Sequence, residues 1–151
     1  MTRFYFAYGS NLKLARVQAR APSARFVARA RLPNGCLSLN KRGRDGSGKA
    51  NLAPEGGAGV WGVLYDVEPE HWTWLDGHET GYARADVRVV TESGDEVSAL
   101  TYVATTLTDE PVAFDWYKRL IVEGARDHGL PGDWVAALER LPEKPDPRRL
   151  T

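Results

Sequence analysis

Phe4-Tyr5-Phe6-Ala7-Tyr8, followed at once by Gly9-Ser10-Asn11-Leu12, passes from a short aromatic strand into a small polar bend. Such a run, closed by a glycine, is far too short for a membrane span or a signal-peptide core and suits a buried first strand. Ser10 or Asn11 can then cap a helix over Leu12 to Arg20, where apolar Leu12, Ala15, Val17 and Ala19 alternate with charged or polar neighbours until Pro22 stops it. A glycine and two small polar residues at a strand-to-helix handover leave backbone N–H groups free to converge on an anion such as a carboxylate. The same residues also suit a capped turn with no ligand, and local sequence leaves both readings open.

Downstream, Phe26-Val27-Ala28 can start a second strand, Pro33-Asn34-Gly35 supplies turn chemistry, and Cys36-Leu37-Ser38-Leu39 alternates like a half-buried strand. Residues 40–59 are rich in glycine and cations and read as a long loop broken only by Ala50-Asn51-Leu52-Ala53. Val60 through Val67 is the strongest strand pattern, and Pro69 opens a helix that should run to Trp74 or Leu75. A polar break, Leu75-Asp76-Gly77-His78-Glu79-Thr80-Gly81-Tyr82, then exposes a carboxylate on a loop. Ala85, Val87 and Val89 alternate with Arg84, Asp86 and Arg88, and Glu92-Ser93-Gly94-Asp95 turns this strand into a hairpin with Val97 through Val103. Val112 to His128 carries an amphipathic helical stripe ended by Gly129-Leu130-Pro131-Gly132, and Trp134 to Leu141 can form one more helix. Strands with helices inserted and appended favour an α+β fold with a mixed or barrel-like sheet. The expected organisation is one domain over residues 1–141 with a proline-rich polar tail over 142–151.

Composition fits that outline. The 151 residues are 42% hydrophobic and 26% charged, ordinary for one globular domain. The 20 basic residues balance the 20 acidic ones, which argues against a protein that grips phosphate backbones, so no nucleic-acid partner is expected. The balance conceals an asymmetry: Asp45 is the lone acid among many Lys and Arg in the first fifty residues. Complementary halves of one domain explain this more simply than a basic binding face. Cys36 is the single cysteine, so no intrachain disulfide can form and a soluble protein of the reducing cytoplasm is expected, without a membrane partner, as a monomer or homodimer.

Glu79 is the candidate for acid–base work, because Trp72, Trp74 and Tyr82 lie near it in sequence and low-dielectric walls would lift its pKa toward neutrality. Ser10 lacks the Gly-x-Ser-x-Gly frame of a hydrolase nucleophile. His71, His78 and His128 share no ligand spacing, so no metal is expected. Gly56-Gly57-Ala58-Gly59 matches neither a Walker loop nor a dinucleotide fingerprint.

Phe6-Ala7-Tyr8-Gly9-Ser10-Asn11-Leu12 together with Leu75-Asp76-Gly77-His78-Glu79 resembles the γ-glutamylcyclotransferase family, with its AIG2-like fold. Gly48 to Leu52, Val60-Trp61-Gly62-Val63-Leu64-Tyr65, the Tyr102 strand, and Trp116-Tyr117-Lys118-Arg119 through Gly129-Leu130-Pro131 resemble later family blocks in the same order, so the likeness runs over about residues 4–140. The resemblance implies a small mixed β-barrel flanked by helices. It implies that Tyr8, Gly9, Ser10, Asn11 and Leu12 hold a γ-glutamyl unit, that Glu79 is the catalytic acid–base, and that Tyr82 and Tyr102 line the pocket. The implied reaction releases 5-oxoproline and a free amine or amino acid by attack of the substrate's own α-amine, a step of glutathione metabolism in relatives that needs no cofactor. Three alternatives remain: a cyclotransferase for γ-glutamylamines or for a pathway-specific γ-glutamyl-acyl chain, a non-catalytic module binding a γ-glutamyl-like ligand, and a nucleic-acid binder using the Arg-rich first fifty residues.

Overall fold

In the computed structural model, which describes residues 3–149, a closed barrel is built in the order β1 (Arg3–Ala7), β5 (Val60–Val67), β2 (Arg25–Leu32), β6 (Tyr82–Thr91) and β7 (Glu96–Ala104). All neighbours are antiparallel except β1 and β7, which meet in parallel at Tyr5 and Leu100 and close the ring. The aromatic first strand is buried from Tyr5 onward, and its partner β5 buries Val60, Val63, Leu64, Tyr65 and Val67. Removing each such side chain from water is worth about 1.5–3 kcal/mol, which is why these two strands can form the spine of the core. The β6–β7 hairpin behaves as its alternation predicts, with Val87 and Val89 buried and Arg84, Asp86 and Arg88 exposed.

Four helices and a second hairpin surround the barrel. The expected first helix divides into one turn of 3₁₀ helix, Ser10–Leu12, and α1 (Leu14–Arg20). Neither Ser10 nor Asn11 caps it, because both side chains are used elsewhere. Helix α2 spans Pro69–His78, so the segment from Leu75 to His78 expected as a break continues the helix. Gly77 sits in its last turn with open space around it, a position where a helical glycine costs only about 1 kcal/mol. The chain leaves the helix at Glu79 and turns at Gly81, whose φ of 84° favours glycine.

The region 40–59 departs most from expectation. Strand β3 runs over Cys36–Arg42 and pairs with β4 (Gly48–Ala53), so much of the presumed loop is a hairpin. Its edges are tied to the 106–112 segment by Arg42 N–H to Thr106 O at 2.9 Å, Thr108 N–H to Asn40 O at 2.9 Å and Gly48 N–H to Val112 O at 2.8 Å. The C-terminal part adds β8 (Ala113–Phe114), α3 (Asp115–Asp127), α4 (Gly132–Glu139) and β9 (Glu143–Lys144), which pairs in parallel with β8. Within the segment read as a polar tail, Asp146 is buried and accepts from Trp116 Nε1 at 2.9 Å; its last two residues, Leu150 and Thr151, lie outside the described residues. Among the described residues no helix is long and apolar enough to cross a membrane.

Candidate active site

Where β1 ends, the chain bends through Tyr8 and Gly9 over the barrel mouth. Leu12 N–H closes onto Gly9 O at 3.0 Å and Lys13 N–H onto Ser10 O at 3.2 Å, leaving the Ser10 and Asn11 amides without a protein acceptor among the described residues. The bend is braced from behind: the Tyr65 hydroxyl lies 2.9 Å from the Asn11 carbonyl oxygen and 3.1 Å from that of Leu12. His128 Nε2 lies 2.8 Å from the same Leu12 oxygen. A Cβ at Gly124 of α3 would stand 2.6 Å from Leu12's carbonyl carbon, so glycine is what lets this helix seat against the bend. At Gly9 a Cβ would meet Ala50 at 2.9 Å, which fixes how near β4 approaches.

Glu79 faces this bend. Asn11 Nδ2 donates to Glu79 Oε1 at 3.0 Å and is also 3.0 Å from the Tyr5 hydroxyl, while Arg20 Nη1 stands 3.6 Å from the same carboxylate oxygen. The Glu79 side chain is only 12% exposed. Burial pushes its carboxyl up to about 7, against the opposing pull of Arg20, the Asn11 hydrogen bond, Arg16 and Lys41. A carboxyl poised there can accept a proton in one step and return it in the next.

The low-dielectric wall comes from tyrosines rather than tryptophans. Tyr5, Tyr8, Tyr82, Tyr102 and Tyr117 line the hollow with Gly9, Ser10, Asn11 and Glu79. Burial pushes every one of these phenols up, so they stay neutral. Their hydroxyls are tied into the frame: Tyr8 donates to Tyr102 O, Tyr82 to Ala50 O at 2.6 Å and Tyr102 to Asp76 Oδ1 at 2.7 Å, while Tyr117 accepts from Ala50 N–H at 2.9 Å. Trp72 packs one layer behind, edge-on to Tyr5. Trp74, expected beside Glu79, is instead 54% exposed and stacked on His71.

Of the residues singled out from sequence, Tyr8, Gly9, Ser10, Asn11, Tyr82 and Tyr102 gather around Glu79, whereas Leu12 does not reach the hollow because its side chain is fully buried in the core. Sequence reasoning missed Tyr5 and Tyr117, and it missed a set of cations. An adjoining cavity of about 300 Å³ that shares Ser10, Glu79, Tyr82 and Tyr117 is lined by Arg16, Arg20, Lys41, Arg44 and Lys49. Arg16 and Arg20 sit four apart on α1, a spacing that puts both on one helix face and could have flagged them. The hairpin cations gave no such signal. The bases of the first fifty residues therefore do more than complement the acidic remainder: Lys13, Arg25 and Arg29 pair with Asp127, Asp66 and Glu92, but five others converge on one cavity.

Comparison with known proteins agrees with this geometry. The AIG2-like family pattern matches residues 59–138. A human protein named gamma-glutamylcyclotransferase is 34% identical over 91% of this chain and 77% of its own length. The mouse protein of that name is 33% identical over 93% of this chain and 79% of its own. A solved structure described as gamma-glutamyl cyclotransferase superposes with a TM-score of 0.89 at 29% identity, covering 100% of this chain and 93% of that one.

Proposed function

This chain belongs to the AIG2-like, γ-glutamylcyclotransferase family and is an enzyme of cyclotransferase type, and from that premise we propose that it converts a γ-glutamyl amide into 5-oxoproline and a free amine with Glu79 as general base and acid. The observation that carries the assignment to Glu79 is its buried carboxylate, held by Asn11 beneath the Gly9–Asn11 bend with a pKa of about 7.

The substrate brings its own nucleophile. Its α-ammonium loses a proton to the Glu79 carboxylate, and the freed nitrogen attacks the γ-carbonyl carbon to close a five-membered ring. Attack leaves an oxyanion on the carbon and a positive charge on the ring nitrogen. As the oxyanion collapses and the γ C–N bond breaks, Glu79 returns the first proton to the departing nitrogen, and the second proton of the ring nitrogen passes through the same carboxylate to the departing amine, which leaves as an ammonium. Atoms and charge balance without a cofactor. The γ-glutamyl chain is flexible, so the main obstacle is conformational, and the tyrosine-walled hollow supplies positioning by holding nitrogen and carbon at about 3–3.5 Å. The Ser10 and Asn11 amides offer donors to a charged oxygen of the γ-glutamyl unit; a donor aimed at the developing oxyanion is worth on the order of 3 kcal/mol. The lone, exposed Cys36 suits a reducing cytoplasm.

Incubation with γ-glutamyl dipeptides should yield 5-oxoproline by mass spectrometry, and Glu79→Gln should lower kcat by at least about a hundredfold while dipeptide binding persists. Near-normal turnover in that variant would remove Glu79 from the chemistry, and binding without any product from the native enzyme would leave a ligand-binding module.

A further inference from the structure

The cavity beside Glu79 is more cationic than a γ-glutamyl unit requires. Arg16 Nε donates to Ser10 Oγ at 3.1 Å and has no carboxylate within ion-pair distance among the described residues. Lys41 is only 7% exposed, and its ammonium faces the Tyr82 ring at 5.0 Å with no carboxylate partner among the described residues. Arg44 joins the lining from the hairpin turn, equally without a carboxylate. The other two cations are engaged, Arg20 beside Glu79 at 3.6 Å and Lys49 on Asp45 at 3.1 Å. Among the described residues, three cations of one cavity thus lack a carboxylate within ion-pair distance, Arg16 and Lys41 acting on Glu79 only from farther off. Arg16 and Lys41 are withdrawn from water, where a cation without a close partner is costly, and a ligand that brings the missing anion recovers that cost on binding, whereas the exposed Arg44 adds positive charge at the cavity mouth.

A γ-glutamyl dipeptide with a neutral leaving residue brings two carboxylates: the α-carboxylate of the γ-glutamyl unit and that of the leaving amino acid. One charge stays unmatched. We propose that the enzyme is selective for γ-glutamyl peptides whose leaving residue is itself acidic, with Lys41 and Arg44 of the β3–β4 hairpin as the residues that recognise its side-chain carboxylate. This rests on the cyclotransferase reading and narrows its substrate class. The hairpin is suited to the task because the hydrogen bonds from Arg42 and to Asn40 fix it to the 106–108 segment on either side of Lys41. The cation is therefore presented by a tethered strand instead of a free loop.

The test compares γ-glutamyl-glutamate with γ-glutamyl-glutamine, which differ by one charge at nearly constant shape, with γ-glutamyl-alanine as a further neutral substrate. The native enzyme should favour the acidic peptide by at least tenfold in kcat/KM, and rising salt should shrink the preference because cavity-mouth charges are screened. Lys41→Met and, at the exposed position, Arg44→Ala should each lower the ratio between the two peptides, with thermal melts checking that both variants fold. Equal kcat/KM for acidic and neutral peptides, all yielding 5-oxoproline, would overturn the selectivity and leave the reaction standing. Absence of 5-oxoproline from every peptide would overturn the reaction and the selectivity together.

Discussion

At the scale of single residues, the role proposed for Glu79 sets folding against turnover. In the proposed mechanism the ionised form is the base, so kcat/KM should rise with pH and level off above about 7, the value to which burial lifts its carboxyl. Stability runs the other way. The folded-state pKa lies above the ordinary value of 4.5, so between those values the native state binds more protons than the unfolded chain and stability falls as pH rises. The difference amounts to about 3 kcal/mol at pH 8 and vanishes below the ordinary value. Glu79→Gln should therefore melt above the native protein at pH 8 and lose that advantage on acidification; parallel melting curves across pH would refute the buried-charge account. Sequence found Glu79 because it stands among aromatic neighbours near two glycines. Of its walls, Tyr82 was legible from its nearness in sequence and Tyr8 and Tyr102 from the family likeness, whereas Tyr5 of β1 and Tyr117 of α3 were not, since only folding brings them to Glu79.

At the scale of elements, legibility followed the chemistry of the buried face. Strand β5 and the β6–β7 hairpin bury apolar side chains at period two and could be read directly. The β3–β4 hairpin was legible as a strand only at Cys36–Leu39, because Lys41 and Lys49 occupy positions directed at the cavity, and a strand with cations on its inner side looks like a loop. Helix α2 ran past its expected end for a related reason: a glycine in a solvent-facing last turn is a weak stop signal. The amphipathic stripe of α3 was legible, but the purpose of its glycine was not. Gly124 touches backbone of the 3₁₀ turn, so Gly124→Ala must displace either the helix or the bend. A loss of about 1–3 kcal/mol in stability is expected for such overpacking, together with a fall in kcat because the Ser10 and Asn11 amides shift relative to Glu79. A drop in melting temperature with unchanged kcat would separate the helix seat from the site.

At the scale of the whole molecule, the cation-bearing hairpin is held from two sides, by the barrel strands and by the C-terminal segment. Glu79 and the Gly9–Asn11 bend belong to elements next to the barrel strands; β3–β4 forms a separate sheet that meets the barrel where Ala50 O accepts from the Tyr82 hydroxyl and Asn51 Oδ1 from Ala104 N–H, and is further held by the 106–112 segment and by Arg148. Asp146, almost without exposure, accepts from Trp116 Nε1 and from Arg148, and Arg148 Nη2 also stands 3.3 Å from Asp45, the aspartate that pairs with Lys49. Composition alone made residues 142–151 look like an appendage, because a run of prolines and charges has no apolar face to bury; the contacts are polar and could not be anticipated from hydrophobic pattern. They imply a division of labour that truncation can expose. A chain ending at Leu141 loses β9 and the Asp146 and Arg148 contacts but keeps every barrel strand, so its strand content should persist while its melting temperature falls by several degrees. With the hairpin loosened and the Glu79 end of α2 intact, KM for a γ-glutamyl peptide should rise more than kcat falls. If truncation leaves both KM and melting temperature unchanged, the C-terminal contacts do not brace the cavity; if kcat collapses first, the brace reaches the bend itself.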